Sequence, residues 1–257
     1  MSKVISIALQ KGGTAKTTTA INLAANLAHR KKRVLLIDMD FQANATFGSG
    51  INGKTLKNSI YNVLTPDRRY SCNINDATLH TDFYDIVPAD KDVMDLQLEL
   101  KSFTALSEAI KTIGNSYDYI IIDCPPALNI ISQNALVASD YIIIPCEPKP
   151  FNFTGMVDMK ETIDVVRTNH NPDLKVLGIL LVKYNRRTNL TKLMQDSIEN
   201  YSAQLQTTVY ETTIREGVAV PESQLAQQPL IYYAPSAKPT IDYKAFTSET
   251  IKRLGDM

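Results

Sequence analysis

"ALQKGGTAKTTTAINLAANLA", residues 8–28, decides the reading of this chain. The apolar run from Val4 to Leu9 enters a polar loop with two adjacent glycines, Gly12 and Gly13, and apolar residues at helical spacing follow at once from Thr17 to His29. Strand, glycine loop and helix in that order are what a phosphate cradle needs. Glycines let backbone N–H groups turn inward, and a helix N-terminus favours negative charge. Lys16 and Thr17 fall where such loops carry the lysine that reaches the β- and γ-phosphates and the hydroxyl that ligates Mg²⁺. Gly12, Gly13, Thr14, Ala15 and Thr18 complete the expected cradle. Yet the pattern G-x-x-x-x-G-K-[ST] fails at both glycines, where Gln10 and Ala15 stand. Glycine is required where φ is positive or where backbone meets ligand closely; at a negative φ the extra methyl of Ala15 costs little. Two alternatives stay open: a plain glycine turn that opens a helix with Lys16 exposed, and a loop that binds ATP without hydrolysing it.

Outward from the loop, short β-branched runs alternate with helical patterns. The runs "KVISIAL", "RVLLID", "YDIVPA", "YDYIIIDCPP", "DYIIIPC" and "LKVLGILLV" have nearly uniformly apolar centres, as strands buried on both faces do. Helical spacing fills 17–29, 104–113, 129–138, 154–169 and 190–201. The order predicts an α/β fold, a doubly wound, mostly parallel sheet with helices on both faces, in a single domain over residues 1–257. The least regular stretches are 44–53, 65–77 and 210–239. In such a sheet ligands bind beyond the carboxyl ends of the strands. Those ends carry Asp38 and Asp40 after the second strand and Asp123 after "YIII", so three carboxylates converge on the mouth of the loop. An aspartate there holds Mg²⁺ directly or through water.

Bulk properties exclude several classes. With Lys plus Arg and Asp plus Glu at 27 each, no global field drives the chain onto nucleic acid or membrane, so such binding would need a local patch. Cys72, Cys124 and Cys146 are too few and scattered for a disulfide framework, and their odd number fits a reducing cytosol. The first residues lack a signal-peptide cleavage pattern, and the apolar runs fall short of the roughly 20 residues that cross a bilayer. A soluble, cytoplasmic protein is expected.

"QKGGTAKTTTAINLAANLA", "VLLIDMDFQANAT" and "YIIIDCPPALN" resemble, in order and spacing, the three nucleotide motifs of the ParA/Soj partition ATPases, within the wider class that includes MinD. "YNRRTNL" and "YYAPSAKPTIDYKAFTSE" extend the resemblance over nearly the whole chain. Its specific mark is a second lysine, Lys11, ahead of the glycines. The resemblance implies ATP and Mg²⁺ as cofactors, slow and partner-stimulated hydrolysis, and an ATP-dependent homodimer in which Lys11 acts in trans and Lys16 in cis. It makes Asp40 the residue that positions the attacking water, with Phe41 where the family's proline stands. It puts Asp38 on the Mg²⁺ network with Thr17 and Asp123, and Asn185 near the adenine, where a turn residue is the alternative. It further implies non-specific binding of nucleoid DNA and a ParB-like centromere-binding partner.

Leu174 to Met194 contains no acidic residue but carries Lys175, Lys183, Arg186, Arg187 and Lys192. Such a patch neutralises phosphates without reading bases; a solvated basic face is the alternative. Arg215 is displaced by one from the family's arginine, whose place Glu216 takes. Rival functions are MinD-like membrane positioning, transport of another cargo, and an iron–sulfur reductase. The tail "DYKAFTSETIKRLGDM" has irregular apolar spacing and reads as a helix packed on the domain rather than a membrane anchor.

Overall fold

The structure, a computed structural model, describes residues 2–185 and 189–256. The chain runs β1 (Lys3–Ile7), α1 (Lys16–His29), β2 (Val34–Asp38), α2 (Asn44–Gly48), α3 (Ile60–Leu64), α4 (Ile74–Ala77), β3 (Leu79–His80) and β4 (Asp85–Val87). It continues through α5 (Leu96–Glu99), α6 (Ala105–Thr112), β5 (Tyr119–Asp123), α7 (Ile130–Val137), β6 (Tyr141–Cys146), α8 (Pro150–Asn169) and β7 (Lys175–Leu181). The last helices are α9 (Asn189–Ser202), α10 (Ala219–Leu225), α11 (Leu230–Tyr233) and α12 (Lys238–Arg253). The strands form one sheet in the order β3-β4-β2-β5-β1-β6-β7. All pairs are parallel except β3 with β4. The doubly wound α/β fold expected from the alternation of patterns is the fold observed.

Period-two alternation sends each central strand's side chains to both faces. Val4, Leu35, Ile37, Ile120 and Ile122 join one core with Leu106 of α6, Ala135 of α7 and Ile163 of α8. Ile5, Ile7, Leu36 and Ile121 join the other with Leu23 and Leu27 of α1 and Tyr243 and Phe246 of α12. Both faces are therefore dry, which is why the strands read as unbroken apolar runs. The tail does pack on the sheet, and its aromatic residues point into the core. No helix among the described residues is long and apolar enough to cross a membrane.

Differences from the expected elements have local causes. α8 begins at Pro150 rather than at residue 154, because a proline in the first helical turn needs no N–H partner and already has helical φ. α10 and α11 lie in the stretch expected to be irregular. They are short and take their stability from docking: the Leu230 N–H donates to Asn22 Oδ1 at 2.9 Å, and Gln224 Nε2 donates to the Thr18 hydroxyl at 3.0 Å. Two-residue β3 is too short to leave a pattern.

At the outer edge, β7 is closed by the segment that carries Tyr210. Arg253 lies over the Tyr210 ring, 3.9 Å from its centroid, and donates to the carbonyls of Leu177 and Val209 at 2.9 and 2.8 Å. A Cβ added at Gly178 would stand 2.4 Å from Tyr210 Cε2 and 2.6 Å from Arg253 Nη1. Gly178→Ala is therefore expected to destabilise the fold by about 1–3 kcal/mol. The measurement is a urea unfolding curve, with a lower midpoint at an unchanged slope.

Candidate nucleotide site

Parallel registration builds the site. Asp38 and Asp123 are paired positions on β2 and β5, and Ile7 of β1 pairs with Asp123 on its other side. Three strands thus end at one level, and the loop that leaves β1 starts beside the two carboxylates. A cavity of about 1350 Å³ opens there. Gly12 to Thr18 line it together with Asp40, Gln42, Asn44, Lys183, Asn185, Arg215 and α10 residues such as Gln224.

Within the loop, the Lys16 ammonium donates to the carbonyl of Lys11 at 2.8 Å. Lys16 is 7 % exposed, and burial lowers its pKa against the opposing pull of Asp123 and Asp40. Lys11, by contrast, is exposed, and its ammonium has no hydrogen bond among the described residues. The two lysines that bracket the glycines face opposite ways, one into the loop and one out to solvent. Gly13 takes φ +76°, a conformation that glycine supplies without steric cost.

Ala15 corrects the sequence reading. Its φ is 60° and its ψ 27°, left-handed, immediately before the first helical residue. The negative φ that would make its methyl cheap is not the one found. Gln10, at the other missing glycine, buries its Oε1 without a hydrogen bond among the described residues. Its carbonyl lies where a Cβ on Gly155 would approach to 2.9 Å, so that glycine lets α8 close on the loop.

Asp123 is fully buried, and neither of its carboxylate oxygens has a hydrogen-bond partner among the described residues. Burial, then the neighbouring Asp38 charge, pushes its pKa well up, while the nearby Thr17 hydroxyl and Lys16 oppose the rise. A buried carboxylate without donors costs free energy that a bound cation or its water would recover. Thr17 and Asp123 therefore fit the Mg²⁺ position of the sequence reading. Asp38 is engaged otherwise. Its Oδ2 accepts from the Thr46 N–H and hydroxyl, both at 2.8 Å, and its Oδ1 accepts from the Asp40 N–H at 3.1 Å. Its pKa is raised to about 6 by burial, with the Thr46 bonds opposing. Asp38 is thus a brace that ties the start of α2 to the sheet rather than an open metal ligand. Asp40, 7 % exposed, lines the cavity and accepts the Gln42 N–H at 3.0 Å. Phe41 packs on the core behind it.

The basic candidates separate. Lys175 and Lys183 flank opposite ends of β7, so these two cations of the acid-free run stand apart. Seven strand residues span about 20 Å. Lys183 instead donates to the Gly13 carbonyl at 2.9 Å. Arg215 makes a two-pronged ion pair with Asp242, at 2.8 and 2.6 Å, which neutralises the charge expected to meet DNA. Lys192 is exposed on α9, and Arg186 and Arg187 lie outside the described residues. A second groove, of about 1130 Å³, lies at the amino end of β7 and contains none of the loop residues.

Thr46, Gln224 and the wall of α10 went unnamed in the motifs. Thr46 closes "VLLIDMDFQANAT", but only the fold shows that its hydroxyl holds Asp38. Gln224 is more than 200 residues from Thr18 and carries no local signal.

A glycine loop leading into a helix, a lysine inside the loop and a donorless aspartate at the adjoining strand end define a P-loop nucleotide-binding protein of the deviant kind. Comparison with known proteins narrows the class. A family model described as an AAA domain matches residues 2–176. The chain is 36% identical to the chromosome partitioning protein ParA of Myxococcus xanthus over 258 residues, covering 98% of this chain and 89% of that one. It is 36% identical to the sporulation initiation inhibitor protein Soj of Bacillus subtilis over 242 residues, covering 93% and 94%. Among solved structures, cobyrinic acid a,c-diamide synthase from Mycobacterium smegmatis, with bound ADP and magnesium, superposes with a TM-score of 0.84 at 28% identity, covering 99% and 96%. The chain belongs to the ParA/Soj family of P-loop ATPases.

Two predictions follow from the loop and the buried acid. Ala15→Gly relieves the left-handed strain and should stabilise the nucleotide-free protein by about 1 kcal/mol, measured by urea unfolding. For the acid, a carboxyl whose folded pKa is raised binds its proton more tightly in the folded chain than in the unfolded one. Its contribution to stability therefore falls as pH climbs from the unfolded toward the folded value. Asp123→Asn removes that charge at nearly constant volume. The nucleotide-free variant should melt above the parent, by a wider margin at about pH 8 than at about pH 5.

Proposed function

We propose that this chain is an ATP-driven dimerising switch that binds DNA without sequence preference in its ATP state and moves a DNA cargo with a ParB-like centromere-binding partner. The observation that carries the reading is the opposed pair of lysines. Lys16 is folded into its own loop, whereas Lys11 stands outside the loop with its ammonium unengaged among the described residues. A cation so placed is available to phosphates held by a second copy. Burying a triphosphate between two copies calls for added positive charge from across the interface. The partition relatives support the partition role, and the ADP- and magnesium-bound neighbour supports the nucleotide and Mg²⁺ part of the reading.

In it, Gly12 to Thr18 cradle the phosphates, and Lys16 exchanges the Lys11 carbonyl for phosphate oxygens. Thr17 and Asp123 would hold Mg²⁺, which would supply charge neutralisation to the phosphates. Asp40 orients the water that attacks the γ-phosphorus, and ADP leaves with the bridging oxygen. Asp38 and Thr46 fix the segment that carries Asp40. Asn185 and α10 border the part of the cavity left for the base. DNA contacts fall to exposed cations such as Lys192, with Arg186 and Arg187 as further candidates. The site of action is the cytoplasm, on the nucleoid.

Gel filtration and DNA binding test this together. Lys16→Ala should lose ATP binding and remain monomeric. Asp40→Ala should form a dimer with ATP, fail to turn it over, and hold DNA with an affinity that falls steeply and linearly on a logarithmic salt scale. A monomeric Asp40→Ala protein in saturating ATP, or a flat salt response, would overturn the reading.

A further inference from the structure

Lys183 stands two residues beyond the end of β7, and its backbone is left-handed, with φ at 50°. Its ammonium donates to the Gly13 carbonyl at 2.9 Å, across 170 residues of sequence. The chain is pinned on both sides of it. The Ile214 N–H donates to the Leu181 carbonyl at 2.8 Å, and the Tyr184 N–H donates to the Ile214 carbonyl at 2.9 Å. Conformations of this kind in a non-glycine residue persist where the surroundings over-determine them, and they gather at ligand clamps.

The bond itself contributes little to stability, because the Lys183 side chain is exposed and water competes for it. Its meaning lies in where it ends. The loop already has one ammonium on a carbonyl, Lys16 on Lys11, and Lys183, which lines the same cavity, repeats the arrangement on Gly13 from the end of β7. A neutral carbonyl is a weaker acceptor for an ammonium than a phosphate oxygen, which adds the attraction of an opposite charge to the hydrogen bond. Both ammonium groups therefore have a better partner to gain when an anion enters the loop.

We propose that Lys183 is a further phosphate-binding lysine of this cavity, supplied in cis from the end of β7, which exchanges the Gly13 carbonyl for an oxygen of a nucleotide di- or triphosphate. The assignment rests on the reading of the cavity as a nucleotide site. It takes Lys183 out of the DNA-binding set and makes it a determinant of affinity for ADP as well as ATP.

Lys183→Asn is the informative variant, because asparagine accepts left-handed backbone better than most residues and the substitution removes the charge. Calorimetric titration with ADP and with adenosine should give about tenfold weaker ADP binding and an adenosine affinity within about twofold of the parent. Lys183→Arg should recover most of the ADP affinity. Lys183→Asn binding ADP within about twofold of the parent, or losing adenosine and ADP equally, overturns the phosphate role. Lys16→Ala, run alongside, keeps the two readings apart. A parent that does not bind ADP overturns the nucleotide site itself. A parent that binds, with Lys16→Ala that does not and Lys183→Asn that binds like the parent, overturns only the role of Lys183.

Discussion

The pairing of β1 with β5 and of β5 with β2 sets Ile7, Asp123 and Asp38 in one row, and the mouth of the sheet follows from that row. A one-residue slip of β5 would send Asp123 to the other face and replace it with an apolar neighbour. The slip is resisted because every side chain of β5 is buried, and the two cores demand opposite sets of its isoleucines. Hydrophobic packing on both faces thus positions a charge at the end of the strand. The loop from β1 has no freedom to avoid that charge, since it starts beside it.

What results is a site that is electrostatically incomplete by itself. Asp123 is buried without a donor, Lys16 is desolvated, and Asp38 spends its acceptors on Thr46 and Asp40. Buried polar groups are as a rule satisfied, and an unsatisfied carboxylate costs far more than an exposed one. Lys16 lies close enough to Asp123 for each to shift the other's titration, yet it donates to a carbonyl and not to the acid. An ion pair between them would settle both groups and close the loop on itself. Holding them apart leaves the acid free for a cation and the lysine free for an anion.

Much of this was legible in the sequence because it depends on short-range pattern. The central strands are apolar on both faces and bounded by aspartate, and the Lys-Thr pair sits directly between strand and helix. The illegible part depends on contacts between distant segments. Asp38 looks like a second metal ligand until the Thr46 hydroxyl is seen to occupy it, and Arg215 looks like a free cation until Asp242, one turn into α12, is seen to hold it. Likewise Lys175 and Lys183 are close only on paper, since β7 separates them. Charge alone in a sequence says nothing about partners or spacing: a partner decides the role in the first two cases, and distance along a strand decides the third.

Backbone conformation is the other thing pattern does not carry. Ala15, Ala43 and Lys183 are non-glycine residues with φ of 60°, 51° and 50°; Ala15 and Lys183 line one cavity, and Ala43 lies between Gln42 and Asn44, which line it too. Ala15 and Ala43 each immediately precede a helix, α1 and α2, and Lys183 follows a strand, so each marks a place where the chain must change direction beside the site. Glycine would meet the geometry at less strain, but it would also widen the range of conformations open to the loop. An alanine that is held left-handed has few other states to visit. The same reasoning explains why two alanines and a lysine serve here: a loop that must present N–H groups and cations to one anion gains more from being held in place than from being unstrained.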